Sequence, residues 1–148
     1  MTEKKRTIYG EGRIFVGRIG RGEDLLGRVT AILNEEEIRL GQIAVHGHLT
    51  RLVLSRHNPA DPFAAEMDLQ APCDITVCSG TVSLFKRRAL PQLAGLFVEP
   101  EGTLHAGTIR PGTIVHACEI VITELTGGSL SRDFDEETGL PLWKGAIL

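Results

Sequence analysis

Long apolar runs and paired cysteines are both missing from this sequence. No apolar run approaches the roughly 20 residues of a membrane-spanning helix, and no apolar segment follows the polar start Met1–Arg6 as it does in a signal peptide. Cys73, Cys78 and Cys118 form no Cys-x-x-Cys motif, and an odd number of cysteines is typical of a reducing compartment. We therefore expect a cytoplasmic protein with no membrane partner, in which the cysteines are small buried apolar residues.

Signatures of catalytic and cofactor sites are missing as well. Ser79 and Ser83 do not lie in a Gly-x-Ser-x-Gly nucleophile elbow, and no cysteine and histidine form a recognisable pair of nucleophile and base. The acidic stretch Asp133–Glu137 lacks the glycine and the terminal glutamate of an EF-hand. Gly20 and Gly22 are too few for a dinucleotide fingerprint. The sequence therefore predicts no catalytic residues, no cofactor and a non-enzymatic protein.

The overall charge does not favour a nucleic-acid partner. The net charge is −3 and the pI is about 5.9, whereas nonspecific DNA binding depends on Lys and Arg side chains that displace counterions from phosphates. A local patch must therefore provide any contact with DNA. The run Lys86-Arg87-Arg88, expected on a turn at the end of a strand, supplies the candidate nucleic-acid contacts. Such a run is more often a solvated turn.

Size and composition indicate one folded domain. The 148 residues are 42% hydrophobic and 24% charged, with 17 glycines that favour many turns. A chain of this length buries about two-thirds of its unfolded surface, so it can fold without disulfides or a metal. We predict a single domain over residues 1–148, in which residues 1–11 form a flexible N-terminal tail.

The spacing of apolar residues predicts a sheet and one clear helix. Two or three antiparallel strands are expected in Pro91–Glu124, where turns containing Pro and Gly separate the apolar runs. The other predicted elements are a first strand from Arg13, a helix from Glu23 to Asn34, two strands within Ile38–Ser55, a helical turn or edge segment over Phe63–Gln70, and a strand over Cys73–Leu84 in which Gly80 marks a bulge or a close backbone approach.

Strand periodicity places two histidines on the same side of the sheet. His46 and His48 are two residues apart, so their side chains point the same way. With His105 or His116 brought close by the sheet or by a neighbouring subunit, they are candidates for a metal or anion site, or for a pocket between subunits. His116 has a second interpretation, because it alternates with apolar residues of its strand and is then a hydrogen-bonded core residue.

Short motifs in a particular order connect the chain with a known family. They are Gly22-Glu-Asp-Leu-Leu, Ile43 to Leu54 with Gly47 in its middle, Ser79-Gly-Thr-Val-Ser, Glu101-Gly, Gly107, Gly112, Glu119-Ile-Val-Ile, Leu130-Ser-Arg-Asp and Thr138-Gly-Leu. Over nearly the whole chain, this pattern resembles the PPC domain, the plants and prokaryotes conserved domain. The resemblance implies an α+β fold with a central, mostly antiparallel sheet, flanked by one main helix and short helices, that assembles as a homotrimer.

The resemblance also implies partners and sites. Plant members contact transcription factors through a segment that begins Gly-Arg-Phe-Glu-Ile-Leu, of which Ala71–Thr76 keeps the acidic residue and the isoleucine. Prokaryotic members often carry His-Leu-His and Gly-Gly-His, a trio suited to a metal ion. The matching positions read Gln92-Leu-Ala and Ala106-Gly-Thr108, which supply no imidazole. We therefore expect the usual metal site to be absent or changed, and Gln92 and Thr108 become pocket candidates.

Two functions follow as hypotheses. The first is a DNA-binding or regulatory PPC-domain protein that acts as a non-enzymatic, homotrimeric recognition module for DNA, a protein partner or a small ligand. The AT-hook, an Arg-Gly-Arg core flanked by proline, does not occur in the chain, so DNA depends on Lys86, Arg87 and Arg88. The alternative is a sensor or an enzyme whose small-ligand site lies at the subunit interface, with His46, His48 and His105 as candidate acid-base or binding groups.

Overall fold

One helix and one sheet of nine strands form the part of the chain that the computed structural model describes, residues 6–58, 60–61 and 66–148. This confirms the α+β fold and the single main helix. The short flanking helices are wrong for these residues, because the remaining segments are strands and turns. The elements are β1 Gly10–Ile19, α1 Leu25–Glu35, β2 Gly41–Ser55, β3 Met67–Leu69, β4 Cys73–Phe85, β5 Arg88–Val98, β6 Leu104–Ile109, β7 Ile114–Thr126, β8 Ser131–Asp135 and β9 Leu140–Trp143.

Strand β2 is the centre of the sheet and pairs along both of its edges. β7 pairs with one edge and β4 with the other, and β1 extends the sheet beyond β7. β5 pairs with β4, β6 pairs with β5, and the end of β6 returns to β2 at Leu54 and Ser55. All these pairings are antiparallel, and the three strands predicted in Pro91–Glu124 are β5, β6 and β7. Because β6 closes back onto β2, the sheet curls into a partly closed barrel.

Helix α1 packs its apolar side into the concave face of this sheet. Leu25, Val29 and Leu33 are buried in one core with inward-facing residues of the strands. Asp24 caps the helix, because its Oδ1 accepts a hydrogen bond from the Gly27 N–H at 2.8 Å. Its Oδ2 accepts another from the N–H of Gly112 at 2.6 Å, which ties the start of the helix to the turn between β6 and β7. The predicted helix is confirmed, with Asp24 as its cap.

Gly80 lets β4 and β5 approach each other closely. A Cβ atom at this position would lie 1.7 Å from the carbonyl oxygen of Gln92, well inside any contact distance. The prediction of a close backbone approach at Gly80 is therefore confirmed, and the irregularity in β4 falls between Ile75 and Val77 instead. Only a residue without a side chain permits this spacing.

Residues 41–55 form one continuous strand where the sequence predicted two within Ile38–Ser55. The chain passes through Gly47 with a φ of +133°, which glycine tolerates, and the register with β4 shifts just before this residue. The strand therefore bends at Gly47 and continues in the same direction. The histidines on either side of the bend, His46 and His48, stay in one strand.

Strand β7 carries a matching irregularity at His116. Leu49 pairs with Val115 and His48 pairs with Ala117, so His116 is an extra residue without a partner in β2. The extra residue changes the alternation of buried and exposed residues along β7, so that Val115 is buried and His116 is exposed. The interpretation of His116 as a core residue is therefore wrong.

The N-terminal tail is shorter than predicted where the structure describes it. β1 begins at Gly10, and Gly10 and Glu11 pair with Thr126 and Leu125 of β7. Residues 1–5 of the predicted tail lie outside the described residues, as do positions 63–65 of the weak segment before β3. The described end of that segment is the edge strand β3. No helix among the described residues is long and apolar enough to cross a membrane.

The C-terminal hairpin, formed by β8 and β9, closes over the end of β4. β8 pairs in parallel with β4 at Leu84 and Phe85. The Arg132 guanidinium donates a hydrogen bond to Oγ of Ser83 at 3.0 Å and lies over the Trp143 ring, 4.7 Å from its centre. The indole N–H of Trp143 donates to the same Ser83 oxygen at 2.9 Å. These contacts satisfy a hydroxyl that is completely buried.

Candidate functional site

The outer face of the sheet, opposite α1, carries a band of uncharged side chains. Residues that face each other in antiparallel strands project to the same side, so rows can be followed across the sheet. Val16 and Ile14 of β1 begin two adjacent rows and are 75% and 54% exposed. The uncharged band consists of the row Val16, Val121, Ala44, Ser79, Ala94 and Thr108 and the row Ile14, Thr123, Gln42, Thr81 and Gln92.

Two of the predicted pocket residues, Gln92 and Thr108, lie in this band. Ala94 pairs with Thr108 and stands two residues from Gln92, so the three positions that carry histidines in many prokaryotic relatives share one face here. An amide, a methyl group and a hydroxyl do not form a zinc-binding set, which needs at least three firm nitrogen, sulfur or carboxylate ligands. The residues present therefore do not fit the metal that the family resemblance implies.

An open groove of about 1050 Å³ lies at one end of the uncharged band. Three histidines line it together with two arginines and two carboxylates, and small or buried residues form its floor. We call it the histidine groove. Its polar side chains are those of His46, His48, His116, Arg18, Arg21, Asp74 and Glu119, and its floor includes Ile19, Gly47, Ile75, Ala117 and Cys118.

The histidine groove begins with the sheet row next to the uncharged band. His46 pairs with Glu119 of β7, which pairs on its other edge with Arg18 of β1. This row follows the row of Val16, Val121 and Ala44 by two residues in each strand, so it continues the same face. The prediction that His46 and His48 point to one side agrees with this register.

Asp74 holds the imidazole of His48. Nδ1 of His48 lies 2.5 Å from Oδ1 of Asp74, and the two residues are cross-strand partners between β2 and β4. Both side chains are more than half exposed, so this contact orients the ring and contributes little to stability. Because Nδ1 is occupied, Nε2 is the nitrogen of His48 that remains available to a ligand.

His116 joins the histidine groove and His105 does not. The extra residue in β7 turns the His116 side chain outward, where it lines the groove beside His46 and His48. His105 is partly buried, and its Nε2 lies 2.8 Å from Oε2 of Glu99. Within one chain, His105 does not line the histidine groove, because its ring contacts Glu99 at a separate place.

The chemistry of the histidine groove favours binding over covalent catalysis. The groove residues include no serine, threonine, tyrosine or lysine, and the one thiol, Cys118, is buried in the floor. Burial raises the pKa of the Cys118 thiol to about 11, so the thiolate nucleophile does not form near neutral pH. Among the described residues, no three His, Cys, Asp or Glu side chains are placed to hold a metal ion.

Sequence analysis missed the two arginines of the histidine groove. Arg18 stands at the end of β1 and Arg21 in the turn that leads to α1, and neither has an ion pair with another described residue. The flanking glycines Gly20 and Gly22 signalled a turn, but only the pairing of β1 with β7 brings that turn to the histidines. The arginines add fixed positive charge to the groove.

The basic run Lys86-Arg87-Arg88 forms the tip of the β4–β5 hairpin and does not line the histidine groove. Lys86 and Arg87 are the two turn residues, with φ of +50° and +65°, the conformation that Asn and Gly adopt most readily. Lys86 Nζ lies 5.4 Å from the centre of the Phe85 ring. None of the three cations has an ion pair with a described residue. The tip therefore presents three free positive charges.

A comparison of the sequence with protein-family patterns identifies the family of this chain. The sequence pattern of the Plants and Prokaryotes Conserved (PCC) domain, also written PPC, matches residues 6–126. The chain therefore belongs to the PCC domain family. The C-terminal hairpin, beyond residue 126, lies outside the matched region. No curated protein matches the sequence.

Solved structures with the same fold cover nearly the whole chain. A metal-containing protein from Archaeoglobus fulgidus is similar, with 27% identity and a TM-score of 0.88 over 95% of this chain and 99% of its own. A PPC protein from Pyrococcus horikoshii shares the fold with 23% identity and a TM-score of 0.88, over 95% and 97%. A protein from Bacteroides thetaiotaomicron, described as a proposed DNA-binding protein, has 18% identity and a TM-score of 0.79, over 92% and 96%.

Proposed function

We propose that this protein is a non-enzymatic recognition module that works as a homotrimer. Copies pack against each other through the uncharged band, and the histidine groove at its end takes up a small ligand. The observation that carries the assembly is the band itself. Two rows of uncharged side chains cross up to six strands, although charged residues are the usual occupants of an exposed sheet face.

Burial of this band would stabilise contacts between copies. Val16 and Ile14 are large apolar side chains more than half exposed in the single chain, and Val77 on β4 is 55% exposed. Removing such apolar area from water contributes about 25 cal/mol per Å². A contact face almost free of charge also avoids the cost of desolvating ions. Monomeric proteins rarely leave large apolar patches uncovered, so the band fits a protein interface.

The mass in solution tests the assembly. Sedimentation equilibrium is expected to give three times the 16.1 kDa of one chain at micromolar concentration. A second concentration series separates a stable trimer from a weak one, because a weak trimer loses mass on dilution. A mass equal to one chain throughout the series would reject the homotrimer.

DNA is a second candidate partner, supported by the tip of the β4–β5 hairpin. Three adjacent cations without ion pairs among the described residues can contact phosphates. Each subunit of a trimer adds another tip, so the charge is multiplied. The description of the Bacteroides thetaiotaomicron protein supports the same candidate. The net charge of −3 limits this candidate to local contacts.

Removing the charges at the tip is expected to abolish DNA binding. The variant Lys86→Asn, Arg87→Gly, Arg88→Gln removes three cations and gives the turn the Asn-Gly sequence that suits its conformation. Fluorescence anisotropy on an A·T-rich and a G·C-rich duplex measures affinity between about 50 and 200 mM salt. The affinity of the unmodified protein is expected to fall steeply as the salt concentration rises. In the variant, the slope of log affinity against log salt concentration should be smaller by about one unit for each phosphate contact that is lost.

A control variant removes the same number of charges elsewhere. Arg6, Arg28 and Lys144 are surface cations outside the hairpin tip, and changing all three to Gln keeps the net charge equal to that of the tip variant. If both variants lose affinity equally, the tip is not a DNA site. If the unmodified protein does not bind either duplex at low salt, DNA is not its partner.

A further inference from the structure

We infer that the histidine groove binds the anionic group, a phosphate or a carboxylate, of a small polar molecule, held by Arg21 and Arg18 and by the imidazoles of His46 and His116. This rests on the proposal that the groove is the recognition site, and it names the class of ligand. It does not depend on the number of subunits.

The placement of the charges inside the groove supports an anion. The two carboxylates each have a cationic or basic neighbour: Asp74 contacts His48, and Glu119 is the cross-strand partner of both Arg18 and His46. Arg21 has no such carboxylate opposite it. The two guanidiniums and two carboxylates of the groove sum to zero when every histidine is neutral, and Arg21 is the guanidinium that has no carboxylate partner within the groove.

Guanidinium and imidazole groups are suited to this task. Arg presents a planar set of N–H donors that matches two oxygens of a phosphate or carboxylate, and the resulting charge-assisted hydrogen bonds are short and strong. Neither Arg18 nor Arg21 uses its donors on another described side chain, so these groups are free for a ligand. His46 and His116 each add a ring nitrogen without a hydrogen-bond partner among the described residues.

The shape and the lining restrict the size and character of the ligand. The volume of about 1050 Å³ belongs to an open groove whose exposed side chains are polar and whose apolar residues are mostly buried in the floor. Such an open site does not enclose a hydrophobic molecule in a deep apolar pocket. A small polar metabolite with one anionic group fits this lining.

The five histidines provide a direct measurement. The ring C–H signals in NMR spectra, each assigned with its own His→Gln variant, are followed as inorganic phosphate is added at constant pH and ionic strength. We expect saturable shifts for His46, His48 and His116. His57, in a loop, and His105, paired with Glu99, are internal controls outside the groove and are expected not to shift.

A matched pair of variants then tests whether Arg21 provides the positive charge that binds the anion. Arg21→Gln should weaken phosphate binding about tenfold or more, the usual effect of losing a hydrogen bond between charged groups. Arg39→Gln removes one exposed cation that does not line the groove and should leave the affinity unchanged. Titration with acetate in place of phosphate separates the two sources of the anion, and saturation by either one supports the inference.

Two results would overturn the inference. One is a set of shifts that is equal for all five histidines or does not saturate, and the other is an equal affinity in the Arg21→Gln and Arg39→Gln variants. Sedimentation of the same samples keeps the proposals apart. If the protein is a trimer that binds neither phosphate nor acetate, only the proposed anion site is rejected. If it is a monomer that binds phosphate, only the proposed assembly is rejected.

Discussion

Replacing Gly80 by alanine is expected to destabilise the protein by about 3 kcal/mol or more, the upper range for overpacking inside a folded core. The added Cβ would lie 1.7 Å from the Gln92 carbonyl oxygen and 3.0 Å from the Leu93 Cα, both backbone atoms of β5. Backbone in the middle of a sheet cannot move aside without breaking ladder hydrogen bonds. Urea denaturation followed by circular dichroism measures the change in the free energy of unfolding.

Gly17→Ala is the matched control for this experiment. Gly17 also lies in a strand, but a Cβ atom there would meet no other atom within 4 Å. The control should therefore be neutral or slightly stabilising, by less than about 1 kcal/mol, because alanine restricts the unfolded chain. Equal stability of the Gly80 and Gly17 variants would show that β4 and β5 are not as close as described.

Replacing Val16 by aspartate is expected to dissociate the homotrimer into folded single chains. Val16 is 75% exposed in one chain, so the change does not disturb the core. In the proposed assembly, the same position is buried between copies, and an unpaired carboxylate there costs several kcal/mol. Sedimentation velocity should show the mass of one chain, with an unchanged far-ultraviolet circular dichroism spectrum.

Ile147→Asp provides the comparison. Ile147 is 73% exposed, lies after the last strand and is not a residue of the uncharged band. It has the same kind of exposed apolar side chain, so the variant tests whether a negative charge in any such place disrupts assembly. If Ile147→Asp dissociates the trimer and Val16→Asp does not, the band is not the contact face.

The strands and the helix could be predicted because their signals are local. The apolar spacing of Leu25, Val29 and Leu33 and the turns between β5, β6 and β7 depend on neighbours in sequence. The number of strands in Ile38–Ser55 could not be predicted in the same way. Gly47 looks like a turn in sequence, and only the partner strands on both sides show that it bends one long strand.

The candidate site was predicted in part for the same reason. His46 and His48 share a strand, so their common face follows from its period of two residues. His116 lines the groove because β7 contains an extra residue in its pairing with β2. The alternation of apolar residues in the sequence does not show this irregularity. Arg18 and Arg21 were not predicted as groove residues, because their position next to the histidines depends on the register of β1 against β7. His105 was expected nearby, but Glu99 holds it elsewhere.

The C-terminal hairpin has a consequence for the behaviour of the chain at high concentration. β2 pairs with β4 only as far as Val82, so the next residues of β4 would present unpaired N–H and C=O groups on that edge. β8 covers this stretch at Leu84 and Phe85, and Arg132 and Trp143 fasten it through Ser83. An open strand edge is a template for aggregation. The hairpin, which lies beyond the region matched by the family, thus covers the stretch of β4 edge at which a foreign strand could otherwise add.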